Sequence, residues 1–133
     1  MRGSLQSYRQ VSVNSQITEA SPHKITQMLF AGALERIAQS RYAIENNDIA
    51  AKGLCIGKAI DIVEGLRSCL VMDDDDLGQN LDALYDFVIN GLIQANLSSD
   101  TKMLNDVSDV LRTLKEGWDE IPEEMHHITA HAS

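Results

Sequence analysis

The stretch Leu104-Asn105-Asp106-Val107-Ser108-Asp109-Val110-Leu111-Arg112-Thr113-Leu114-Lys115-Glu116-Gly117-Trp118-Asp119-Glu120-Ile121 decides the fold. Its residues Leu104, Val107, Leu111, Leu114, Trp118 and Ile121 recur in steps of three, four, three, four and three. Such a seam belongs to a helix packed along its length against other helices. Ser98-Ser99-Asp100 ahead of it supplies an N-cap, and Pro122 ends it.

Three more segments show helical spacing. The first opens at Ser21-Pro22, a capping serine followed by a proline at the first helical position, where its missing N–H costs nothing. It carries Ile25, Met28, Leu29, Ala33 and Ile37 and ends near Asn46-Asn47. Asp48 caps the second, whose seam reads Ile49, Gly53, Ile56, Ile60, Val63, Leu66 and Leu70 up to the run Asp73–Asp76. The third carries Leu77, Leu81, Leu84, Val88, Leu92 and Ala95. Helices of about 20–25 residues span roughly 30–38 Å, and breaks of a few residues favour antiparallel neighbours. The expected fold is all-α, an antiparallel up-down four-helix bundle over residues 21–122. Residues 1–20 form an N-terminal arm and residues 123–133 a C-terminal tail.

Composition narrows the function. The 133 residues hold 20 acidic and 11 basic side chains, a net charge of −9, with 44% apolar and 5% aromatic residues. An acidic chain is a poor nucleic-acid binder, because phosphate contacts need a basic surface. No apolar run approaches the roughly 18 residues of a membrane span, so stable membrane insertion is not expected. Two cysteines and no signal peptide point to a reducing cytoplasm.

Motifs for catalysis or metals fail on inspection. Gly53-Leu54-Cys55-Ile56-Gly57-Lys58-Ala59 has three residues between its glycines where a phosphate-binding loop needs four, and Ala59 replaces the magnesium-binding hydroxyl. With Asp73 as position one of a calcium loop, Leu77 falls at position five and Leu84 at position twelve, where ligands are required. Cys55 and Cys69 are separated by about 21 Å on one helix, too far for a disulfide, and read as small core-facing residues. His127 and His131 have helical spacing in the tail but no further ligand to complete a site. His23 reads as a surface residue. Neither a metal nor a cofactor is expected, and nothing marks the chain as an enzyme.

The helix-interior glycines resist a bland reading. Gly32, Gly53, Gly57, Gly65 and Gly91 each cost roughly 1 kcal/mol relative to alanine. Tight packing inside the bundle would compensate this, and so would a groove for a partner helix.

At this point the residues resemble a known family. Tyr8-Arg9-Gln10-Val11-Ser12-Val13, Ala20-Ser21-Pro22-His23-Lys24 and Met28-Leu29-Phe30-Ala31-Gly32-Ala33 are similar to the opening of the flagellar secretion chaperones (FliS). Ala51-Lys52-Gly53, Lys58-Ala59-Ile60, Leu84-Tyr85-Asp86-Phe87, Gln94-Ala95-Asn96-Leu97 and Trp118 continue the match in order. The resemblance implies a cytoplasmic bundle that binds the disordered C-terminal region of flagellin. It would prevent premature polymerisation and support export through the flagellar type III apparatus. It also implies an N-terminal arm that covers part of the binding surface when empty. Tyr8, Val11, Met28, Leu29, Gly32 and Gly53 are the candidate partner-binding or arm-docking residues. The export gate is a possible further partner. A regulatory adaptor that binds the anti-sigma factor of late flagellar genes is the alternative role.

Overall fold

The computed structural model of the chain describes residues 21–70 and 76–121. They form four helices, α1 (Pro22–Glu45), α2 (Ile49–Ser68), α3 (Asp76–Ser98) and α4 (Thr101–Asp119). Among the described residues no strand occurs.

The helix starts follow the side chains that cap them. Ser21 Oγ accepts from the Lys24 amide at 3.1 Å, with Pro22 in the first helical turn. Asp48 accepts from Ala51 N–H at 3.1 Å and Asp100 from Met103 N–H at 3.2 Å. Each satisfies a donor that the first turn leaves without an intrahelical partner. The chain reverses after α1 and α3 through Asn47 (φ 55°) and Ser99 (φ 51°), both in the left-handed region. α2 ends at Ser68, short of the aspartate run. Asp76 opens α3, and Asp73–Asp75 lie outside the described residues.

Consecutive helices pack together, and α1 packs against α4, which closes the bundle into a ring. Polar contacts fix the directions. Gln27 near the start of α1 donates to Asp119 at the end of α4 at 2.7 Å, and Arg41 near the end of α1 donates to Asn105 near the start of α4 at 2.6 Å. Lys52 at the start of α2 reaches the end of α3, and Arg67 at the end of α2 reaches Asp82 at the start of α3. Neighbours therefore run antiparallel.

The core is aliphatic with two rings. Phe30, Ile37, Ile56, Val63, Val88, Leu92, Leu104, Val107 and Leu111 are buried, and Phe30 meets Tyr85 with centroids 6.4 Å apart. Each fully buried large side chain contributes about 1.5–3 kcal/mol. The α4 seam is as expected from Leu104 to Trp118, with Leu114 and Trp118 packed against the core from its edge, while Ile121 lies past the helix end and Ser108 is buried beside the seam.

The seams of the other helices differ from the sequence reading. In α1 the buried residues are His23, Thr26, Phe30, Ala33, Ile37, Ser40 and Ala43, while Met28 is exposed. His23 is buried, not on the surface: its ring stacks on Trp118 at 5.0 Å, and its carbonyl accepts from Trp118 Nε1–H at 3.0 Å. In α2 the seam runs Lys52, Ile56, Ala59, Val63 and Leu66, and Ile49 is exposed. In α3, Leu77 and Leu84 are exposed and Tyr85 takes the core position. Cys55 and Cys69 are free thiols, half-buried instead of in the core.

Candidate functional site

Helix α3 departs from the pattern of a surface helix. Its inner face buries Tyr85, Val88, Ile89, Leu92 and Ala95. Its outer faces expose Leu77, Leu84, Phe87, Ile93 and Leu97, five of the nine exposed large apolar side chains among the described residues. An amphipathic bundle helix needs one apolar stripe, and a helix apolar on several faces is normally covered on several faces. The segment from Phe87 to Ser99 contains no charged residue. By contrast α4 keeps Lys102, Asp106, Asp109, Arg112, Lys115 and Glu116 off its seam.

Two hollows adjoin α3. A groove of about 280 Å³ lies between α3 and α4, lined by Leu84, Asp109, Val110, Thr113 and Leu114. A smaller cavity of about 90 Å³ opens where α1 begins and α4 ends. Thr26, Phe30, Leu66, Cys69, Leu70, Leu77, Leu81, Tyr85, Leu114 and Trp118 line it. Leu114 belongs to both walls. Burial pushes the Tyr85 phenol up to about 12, and the neighbouring Cys69 adds to the effect. The hydroxyl therefore stays neutral at neutral pH. On the α2 side of α3, Arg67 holds Asp82 at 2.6 Å and Asp86 at 3.4 Å. These carboxylates flank the apolar face, and the one guanidinium leaves the cluster a net negative charge.

The α1–α2 side carries a larger hollow of about 570 Å³, where Ala38, Tyr42, Ala43 and Ala51 mix with Glu35, Gln39, Asn46 and Asp48. The α1–α4 side is bridged by Lys115 and Gln27, which both bind Asp119. The carboxyl of Asp119 is held below its usual range chiefly by the hydrogen bond from Lys115.

The residues singled out in the sequence do not converge on one place. Met28 is 44% exposed and lines the α1–α4 side. Leu29 packs against the core. A Cβ on Gly32 would make an ordinary contact with Ile62 Cδ1 at 3.5 Å, so Gly32 belongs to the α1–α2 packing. Gly53 has nothing within 4 Å of where a Cβ would sit, as have Gly57 and Gly65. Gly91 is the tightly packed glycine, with Val107 Cγ1 2.6 Å from that position. Tyr8, Val11 and the histidine-bearing tail lie outside the described residues. The sequence reading missed Phe87, Ile93 and Leu97 as a surface, although all three stand off the α3 seam.

The chemistry available at α3 is desolvation and van der Waals contact. Among the described residues no group of three or more His, Cys, Asp or Glu side chains is placed to hold a metal ion. No described helix is long and apolar enough to cross a membrane.

Comparison with known proteins agrees across nearly the whole chain. The family model of the flagellar protein FliS matches residues 4–125. A flagellar secretion chaperone FliS of Vibrio cholerae is 53% identical over 131 residues, covering 98% of this chain and 96% of that protein. The flagellar secretion chaperone FliSB of Pseudomonas aeruginosa is 46% identical, covering 88% of this chain and 94% of its own. A FliS of Bacillus subtilis is 34% identical over 84% of this chain and 80% of its own.

Proposed function

Because the chain belongs to the FliS family of flagellar secretion chaperones, we propose that its α3 surface binds the C-terminal segment of flagellin. Binding takes place in the cytoplasm, keeps that segment from polymerising early and delivers it to the flagellar type III export apparatus. The family is one of chaperones and not of enzymes.

The observation that carries this reading is the apolar character of α3 on its outer faces. An amphipathic segment presents apolar side chains at steps of three and four, and a groove between helices receives them. Leu84, Val110 and Leu114 form such a groove, and Phe87, Ile93 and Leu97 extend the apolar surface along α3. The cavity under Leu77 and Trp118 has room for part of one side chain. Each half-exposed side chain still has roughly 1 kcal/mol to gain on burial. Five of them together offset the 2–5 kcal/mol or more that ordering a disordered partner costs.

Residues 1–20 are the arm in this reading, with Tyr8 and Val11 shielding apolar surface of the bundle until the substrate arrives. Met28 is exposed and half-buried Gly53 faces open space, so both remain available to a segment that wraps beyond α3. Leu29 and Gly32 act through the packing of α1.

The test is a binding titration with the purified C-terminal segment of the cognate flagellin. The unaltered chain is expected to form a stable complex. A Phe87→Asp/Leu97→Asp variant is expected to lose most of the affinity at an unchanged melting temperature. Equal binding by both would remove α3 from the account.

A further inference from the structure

We propose that Asp86 reads the charge of the bound segment. It takes a Lys or Arg placed two to three helical turns from the apolar side chains that cover Ile93 and Leu97, and so sets the register of the segment on α3. The inference rests on the reading of α3 as the substrate face and adds what that face selects.

The Asp86 carboxylate is the one left over from its cluster. Arg67 grips Asp82 with two nitrogens, Nε at 2.6 Å and Nη2 at 3.3 Å, and reaches Asp86 with a single longer contact, from Nη1 at 3.4 Å. The two-pronged contact is the stronger use of a guanidinium. The charged form of Arg67 is favoured first by the hydrogen bond to Asp82, and Asp86 and Glu64 add to it. Glu64, Asp82 and Asp86 therefore share one cation. Lys52, the other cation of α2 that reaches α3, is bound at the far end of that helix by Asn96 and Ser99. Asp86 is also the more open acid, its side chain 54% exposed against 32% for Asp82. Its second oxygen accepts from Asn90 Nδ2 at 3.2 Å, and a neutral donor leaves the charge in place.

Position turns this surplus charge into a selector. Asp86, Asn90, Ile93 and Leu97 are all exposed and are spaced by four, three and four residues. That spacing sets them along one outer stripe of α3. The stripe is acidic at one end and apolar at the other, with no further charge from Phe87 to Ser99. Along the axis Ile93 lies about 10 Å and Leu97 about 16 Å from Asp86. A helical segment laid on the stripe repeats these distances. Its cation then falls about seven residues from one apolar anchor and about eleven from the next, whichever way the segment runs. Apolar contact alone would accept a slide by one turn. An acid brought opposite Asp86 would meet the cluster as one more like charge, and that repulsion rejects the wrong register.

The test titrates the purified C-terminal segment of flagellin into the full-length chain and into Asp86→Asn. Asparagine keeps an oxygen for Asn90 and removes only the charge. Affinity is expected to fall roughly two- to five-fold at low salt, the range of an exposed ion pair, and the gap to close as salt rises. Asp106→Asn removes the same charge from α4 and is expected to bind as the unaltered chain does. Each Lys and Arg of the segment is then replaced by Gln in turn. One of them is expected to lose its effect in the Asp86→Asn background, and its change to Glu to restore affinity for Asp86→Lys. Undiminished affinity of Asp86→Asn, an equal fall in Asp106→Asn, or no coupled basic residue would overturn the proposal. If Phe87→Asp/Leu97→Asp loses binding while Asp86→Asn does not, the substrate face stands and the selector falls. If that double variant binds at full strength, the face itself is wrong and the selector falls with it.

Discussion

A Cβ placed on Gly91 would lie 2.6 Å from Val107 Cγ1 and 3.2 Å from Met103 Sδ, whereas one on Gly57 would meet nothing. The same substitution should therefore have opposite signs at the two sites. Overpacking costs typically 1–3 kcal/mol, against about 1 kcal/mol gained in helix propensity. Gly91→Ala is expected to destabilise by up to about 2 kcal/mol in chemical denaturation, and Gly57→Ala to stabilise by about 0.5–1 kcal/mol. Tyr85 supplies a second test at this scale. Its phenol is raised from 10.0 to about 12 in the folded chain, mainly by burial. The raised value means that its contribution is complete below pH 10 and is lost as pH climbs towards 12, where the unfolded chain ionises first. Tyr85→Phe is expected to flatten the fall in melting temperature across that window. Parallel curves for the two proteins would show that Tyr85 is not the group responsible.

At the scale of elements, Lys52 ties the start of α2 to the end of α3. Its ammonium donates to the Asn96 carbonyl at 3.0 Å and to Ser99 Oγ at 2.9 Å, where α3 leaves carbonyls without helical partners. Lys52→Met should cost about 1–3 kcal/mol, because part-buried acceptors lose a charged donor. An unchanged urea midpoint would contradict this. Lys52 also shows why the seams were only partly legible. The sequence reading followed apolar residues, so in α2 it took Ile49 and Gly53 and passed over a lysine whose tip is hydrogen-bonded. In α1 it took Met28 and passed over His23, Thr26 and Ser40. Thr26 and Ser40 enter the core by donating to their own helix, at Pro22 and Ile37 carbonyls. Helix existence, caps and breaks were legible because Ser21, Asp48 and Asp100 act locally. The outer face of α3 was the least legible feature. Periodicity finds one stripe, and the surplus Phe87, Ile93 and Leu97 become informative only once the core face is known.

At the scale of the whole molecule, the bundle divides its surface. The α4 face is charged, the α1–α4 side is bridged by Asp119, and the second half of α3, from Phe87, is left apolar and uncharged. Asp76, Asp82 and Asp86 place the acidic residues of α3 in its first half, ahead of the uncharged stretch Phe87–Ser99. That arrangement keeps a protein with an exposed apolar helix in solution between partners. The central claim is that α3 receives the C-terminal segment of flagellin, and isothermal titration of the segment into the full-length chain tests it most directly. The account predicts a saturable complex with a negative heat-capacity change from apolar burial, abolished or strongly weakened in Phe87→Asp/Leu97→Asp. No binding, or binding of undiminished affinity by that variant, would contradict it.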